Sequence, residues 1–273
     1  MRTKIHFFLL MVLLISVCNG FSQEIITTTS VLSSVVKEIV KDRFRVETLT
    51  PSGYCPGHFD IKGSHLASIE KSGLLFGQGF EPYIQQIKDI IKSPAFSLVI
   101  VKTEGSWFAL DNQKKIYNEV TAAISEKFPQ YRSFFEDNYR KAIKEIEETD
   151  GRIKEIIREK KLAGMPVMCN NHIREMLEYI GFKVVATYGR KEELTPSDIK
   201  KLIEAGKKER IYFVIDNLQA GPDTGEVIAD ELKVPHTTIS NFPEGYPEAP
   251  TLRATLYKNT ERIIKVYEEN KIR

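Results

Sequence analysis

The stretch YRSFFEDNYRKAIKEIEETDGRIKEIIREKKL, Tyr131–Leu162, sets the architecture of this chain. It places Phe135, Tyr139, Ile143, Ile146, Ile153, Ile156 and Ile157 at helical spacing. No proline interrupts it, and Gly151 is its one weak point. At about 1.5 Å per residue, an unbroken helix here spans more than about 40 Å, longer than most single lobes are wide. The stretch is either two helices broken at Gly151 or a stiff connector between two lobes. Its flanks favour the connector.

Strands alternate with helices on both sides. Upstream, Ile25–Thr29 is β-branched, RFRVETLTP alternates apolar and polar residues, and LLFGQG and FSLVIV are short apolar runs. Helical patterns lie between them from Ser30, in GSHLASIEKSG and in FEPYIQQIKDIIKS. Downstream the alternation restarts with PVMC, FKVVATYG, IYFVID and HTTIS as strands. The intervening helices are NHIREMLEYIG, TPSDIKKLIEAG with a cap at Thr195 or Ser197, and DTGEVIADELK, and a final helix runs from Pro250. Such alternation predicts parallel sheets. The expected fold is therefore α/β: two α/β lobes joined by a long connector helix, with the ligand in the cleft between them. The boundaries are residues 23–128 for the first lobe, 129–161 for the connector and 162–273 for the second lobe.

Composition narrows the function. With 273 residues, 42% hydrophobic and 28% charged, the chain has the profile of a soluble globular protein. A formal charge of +2 offers no basic excess for a nucleic acid partner. Residues 1–22 differ: Arg2 and Lys4 precede an apolar run from Phe7 to Val17, then small and polar residues follow. That is the layout of a secretory signal peptide, too short to be a comfortable membrane span. Cys18, in ISVC, poses the question of acylation, although Val17 is a poor residue before a lipidated cysteine. Either outcome predicts an exported protein, periplasmic or tethered at the cell surface.

The segments TPSGYCPGHFDIKGSHLASIEKSGLLFGQGFEPYI, IITTTSVLSSVVKEI and PTLRATLYKN carry a resemblance. Their order and content, with the long connector, resemble the zinc/manganese-type solute-binding proteins of ABC metal importers. The likeness covers the whole mature chain, with His58, Gly77 and Glu81-Pro82 in matching places. It implies capture of one transition-metal ion, with Zn²⁺ first and Mn²⁺, Fe²⁺ or Cu⁺ as alternatives. It also implies delivery to an ABC permease in the membrane by a monomer, with closure by a small tilt. In that family the metal is held by three histidines and a carboxylate. Only His58 matches outright. The second position falls near Trp107, the third on CNNH at Asn170 or His172, and the fourth at Ser240 or Asn241.

Cys55 and Cys169 stand beside these positions, each three residues before a histidine, His58 and His172. If the lobes fold as the family's do, the two Cys-x-x-His pairs face one cleft and form a Cys₂His₂ set suited to Zn²⁺ or, through thiolates, to softer ions. Three other readings stand beside it. A Cys55–Cys169 disulfide is natural in an oxidising compartment and would clamp the lobes. Both thiols could instead be buried and inert. Alternatively His58 binds with help from Asp60, Asp216 or Glu81. Asp216 ends the strand IYFVID, where α/β folds place functional groups. Trp107 lines the pocket or fills the inter-lobe core, His65 is a surface residue and His236 begins a strand.

No enzyme signature is present: there is no His-Glu-x-x-His, Gly-x-Ser-x-Gly or Cys-x-x-Cys. The residues favour carriage over catalysis. The alternative within the same frame is a binding protein with a degenerate metal site that takes an organic ligand, a metal chelate or a protein partner.

Overall fold

A computed structural model describes residues 23–221 and 223–271. The expected leader and Cys18 lie outside the described residues. In chain order the first lobe contains β1 (Gln23–Thr27), α1 (Ser30–Val40), β2 (Phe44–Thr48), α2 (Gly63–Ser72), β3 (Leu74–Gly77), α3 (Ile84–Ile90) and β4 (Ser97–Ile100). Two helices follow, α4 (Leu110–Lys127) and α5 (Arg132–Glu159). The second lobe contains β5 (Pro166–Asn170), α6 (Arg174–Ile180), β6 (Lys183–Tyr188), α7 (Pro196–Glu209), β7 (Phe213–Asn217), α8 (Asp223–Leu232), β8 (His236–Ile239) and α9 (Leu252–Lys271).

Each lobe holds one four-stranded sheet, ordered β2-β1-β3-β4 and β6-β5-β7-β8, and every pairing is parallel. The two sheets thus share one strand order. Parallel sheets must be covered on both faces, and the period-two alternation of the strands does this. Ile25 faces the main core, Ile26 a smaller one under α2 and α3. In the second lobe Val167, Cys169, Phe213 and Ile215 face the main core, while Met168 and Val214 face a third cluster under α7 and α8.

The connector is one helix of 28 residues, unbroken at Gly151. Its buried Phe135, Ala142, Ile146, Ile153 and Ile157 form a single stripe. That stripe packs on α1 and α4 of the first lobe and on α6 and α9 of the second, so one core runs continuously through both lobes. Gly151 has open space around it and does not disturb the packed face. Helix α4 departs from the sequence expectation, which placed no element there. Its Ile116, Tyr117, Val120 and Ile124 are buried on one face against α1 and α5.

Local signals explain the element ends. Thr195 caps α7, its Oγ1 accepting from Asp198 N while Asp198 accepts from Thr195 N. Gly73 closes α2 in the left-handed region (φ 68°). Among the described residues no helix is long and apolar enough to cross a membrane.

Candidate functional site

Both sheets point the carboxyl ends of their strands at the gap between the lobes, the position where open α/β sheets place ligands. A cavity of about 300 Å³ occupies that gap, lined by Cys55, Gly57, Phe80, Trp107, His172, Arg190, Asn217, Gln219, Asn241 and Phe242 among others. Every one of these residues lies on or just beyond a strand's carboxyl end. The loop after β2 supplies Cys55, that after β3 Phe80, and that after β4 Trp107. From the second lobe the segments after β5, β6, β7 and β8 bring His172, Arg190, Gln219 and Asn241.

The lobes meet around this cavity through direct bonds. Trp107 Nε1 donates to the carbonyl of Asn241 (2.9 Å), and Gln219 Nε2 donates to the carbonyl of Ser52 (3.0 Å). Ser52 Oγ donates to the carbonyl of Glu244, whose carboxylate pairs with Lys37 at 2.6 Å. Trp107 lies between Phe80 and Phe242, with ring centroids 6.5 and 5.1 Å away. The wall is thus aromatic on one side and amide on the other. Among the described residues no carboxylate lines the cavity.

The structure separates the sequence candidates into two groups. Cys55 and His172 line the same cavity. His58, in the short turn Pro56–His58, is exposed. Its charge adds only the least of the influences on His172. The His172 imidazole is held below its ordinary value near 6.5, first by desolvation and next by the Arg190 guanidinium.

Cys169 and Asp216 do not join them. Cys169 is fully buried in the main core, because β5 alternation turns it away from the cleft under Ile173 and Met176. Burial also pushes its thiol pKa far up, so the thiolate needed for metal binding is disfavoured. Cys55 and Cys169 are both free thiols, so the disulfide reading finds no bond. Asp216 is fully buried on the opposite face of its sheet. Its Oδ1 accepts from Tyr188 OH (2.8 Å), and its Oδ2 is joined to His236 Nε2 (2.7 Å). Among the described residues no group of three or more His, Cys, Asp or Glu side chains is assembled to hold a metal.

The remaining positions have local duties. Asn170 Oδ1 accepts from His172 N (3.1 Å) and shapes the turn that presents that histidine. Glu81 accepts from Gln78 N (2.9 Å), from Gly79 N (2.7 Å) and from Thr28 Oγ1, so it braces its own loop. Ser240 bonds to Gln219 and to the Phe242 carbonyl, and Asn241 N donates to Gln219 Oε1. Asp60 is exposed, and the His65 ring accepts from Lys62 N at the start of α2. Arg190, Asn217, Gln219, Phe80 and Phe242 were not foreseen as cavity residues. The rule that ligands bind past the carboxyl ends of strands would have found them.

The sequence matches the family described as zinc-uptake complex component A, periplasmic, over residues 25–266. The chain belongs to that family. A putative metal-binding protein of Thermotoga maritima (strain ATCC 43589 / DSM 3109 / JCM 10099 / NBRC 100826 / MSB8) is 24% identical over 265 residues, covering 92% of this chain and 95% of that one. The manganese ABC transporter substrate-binding lipoprotein PsaA of Streptococcus anginosus is 20% identical over 225 residues, 71% of each chain. Among solved structures, an Mn-bound periplasmic metal-binding protein from candidatus Liberibacter asiaticus superposes with a TM-score of 0.76 at 16% identity. That likeness covers 89% of this chain and 99% of the other, and it extends to the paired parallel sheets and the long intervening helix. Zinc-uptake component A proteins are solute-binding proteins, and this chain has their frame.

Proposed function

We propose that this protein captures a transition-metal ion as cargo between its lobes, outside the cytoplasm, and delivers it to an ABC permease. Membership of a periplasmic zinc-uptake family supports the role. What supports this site is that Cys55 and His172, one from each lobe, line one cavity, with His58 three residues after Cys55 on the same turn. A ligand that touches both lobes stabilises their closed arrangement, which gives a permease a difference to read.

The donor set argues for the metal. A thiol and two imidazoles suit Zn²⁺ or Cu⁺, whereas Mn²⁺ and Fe²⁺ favour sites with oxygen ligands. With no carboxylate in the wall, zinc comes first. Thiol ligation requires a thiolate and imidazole ligation requires neutral rings, so capture weakens as pH falls.

Two measurements on the chain from Gln23 onward test this. The protein is purified without chelator and its metal content determined, and zinc is titrated while the fluorescence of Trp107, the chain's one tryptophan, is followed. One equivalent of zinc is expected, with affinity falling at least tenfold in His58→Ala and in His172→Ala and little changed in Cys169→Ser. No zinc bound by the wild-type protein at micromolar free ion would refute metal capture.

A further inference from the structure

Resting on that reading, we infer that the metal arrives not as a bare ion but as a complex with a small carboxylate chelator. The aromatic and amide walls accommodate that chelator, and Arg190 holds its carboxylate. Space is the first argument. At bond lengths of about 2.0–2.3 Å, the sphere from an ion to the centres of its donor atoms encloses roughly 45 Å³. The cavity is about 300 Å³, at the lower end of the range for small organic ligands. Phe80, Trp107 and Phe242 offer apolar faces that a bare ion cannot use.

Coordination is the second argument. Among the described residues the wall supplies two metal donors, Cys55 and His172, with exposed His58 on the same turn as Cys55, and no carboxylate. Glu81 and Asp216, the acidic residues nearest in sequence to the cavity loops, are engaged elsewhere. A tetrahedral or octahedral ion would therefore keep positions open for ligands it brings along.

Charge is the third. Arg190 lines the cavity beside His172, its Nη2 donating to the Gln219 carbonyl (3.0 Å). Its acidic neighbours are Glu192, which is exposed and 3.8 Å from Nη1, so that pair offsets little of the charge, and Glu193, whose carboxylate accepts from Arg190 N and acts on His172 less strongly than Arg190 does. A fixed guanidinium next to the metal-binding histidine repels a bare dication. The same guanidinium attracts a metal–carboxylate complex, whose oxygens match its planar fork. The amides of Asn217 and Asn241 can meet further polar atoms of the chelator.

The test holds free Zn²⁺ constant with a metal buffer and compares binding in the absence and presence of citrate or of L-histidine. Trp107 fluorescence reports binding and native mass spectrometry reports composition. The inference expects at least tenfold tighter apparent binding with one of the two chelators and a 1:1:1 protein–zinc–chelator mass. It also expects Arg190→Gln to abolish that enhancement. Binding that depends on free Zn²⁺ alone, with neither ternary mass, overturns the inference and leaves metal capture standing. Binding of either chelator without zinc, by the wild type and with loss in Arg190→Gln, also overturns it, and directs the site to an organic solute. Absence of any zinc-dependent signal with or without chelators overturns the capture proposal as well.

Discussion

Arg253, near the start of the last helix, forks onto Glu38 of the first, its Nη1 lying 2.5 Å from Oε1 and 2.7 Å from Oε2. Its Nη2 donates to Glu145 of the connector at 2.6 Å, so one guanidinium ties the two lobes and the strut together. Tyr117 of α4 donates to the same Glu38 carboxylate. Arg253→Ala leaves Glu38 largely buried with only a neutral partner, and should cost about 2–3 kcal/mol, below the full penalty of a completely buried pair because the cluster is partly solvated. Urea denaturation measures this. Glu38→Gln combined with Arg253→Met should recover more than half of the loss, since the orphaned charge is then gone. A strictly additive double variant would remove the cluster from the stability account.

A second prediction concerns Gly225 in α8. Alanine there would ordinarily gain about 1 kcal/mol of helix propensity. Its Cβ, however, would collide with Asp216 Oδ2 and the Tyr188 hydroxyl, both fixed by their mutual bond and by His236. Overpacking should win, for a net loss of about 2 kcal/mol, or roughly 4–8 °C in melting temperature at this size. An unchanged or higher melting temperature would show that the triad yields.

The thiols should behave as two classes. Burial holds the Cys169 thiol well above the usual range, and no surface of it is exposed, while Cys55 is half-buried at the cavity wall. In the native protein at pH 8, Ellman's reagent should therefore label one cysteine of the chain from Gln23 onward, and two after unfolding. Zinc with its chelator should protect the reactive one. Rapid native labelling of Cys169 would contradict its place in the core.

His172 gives a pH prediction whose sign follows from its surroundings. Desolvation and Arg190 lower its proton affinity below the ordinary value near 6.5. In the metal-free protein its ring should titrate below that value by NMR, and Arg190→Gln should move it upward. Because the unfolded chain takes up this proton first, the group lowers stability as pH falls from about 6.5 to its folded value, and contributes no such loss above that window. A higher value in the native protein than in the unfolded chain would reverse the argument.

The frame was legible because its determinants are local and periodic. The stripe from Phe135 to Ile157, the cap at Thr195 and the stop at Gly73 are written in consecutive residues. Helix α4 was less legible although Ile116, Tyr117, Val120 and Ile124 carry the same period, because its apolar face is shorter than the stripe of the 28-residue connector that follows. The cleft was only half legible. Spacing drew Cys169 and His172 together as a pair, but a strand reverses its face at each residue, and a strand-to-turn transition lies between them. Cys169 went inward and His172 went to the cavity. Arg190, Gln219 and Asn241 come from separate loops, and only the assembled sheets bring them side by side.

The shared strand order of the two sheets has a consequence for how such a protein can change its diet. What it carries is decided by a handful of short segments hung on the rims of two matching scaffolds, and the scaffolds are sealed by residues that never see the cargo. A lineage can therefore rewrite the mouth one segment at a time without renegotiating the fold. The chemistry of the cleft and the inheritance of the frame are free to tell different stories.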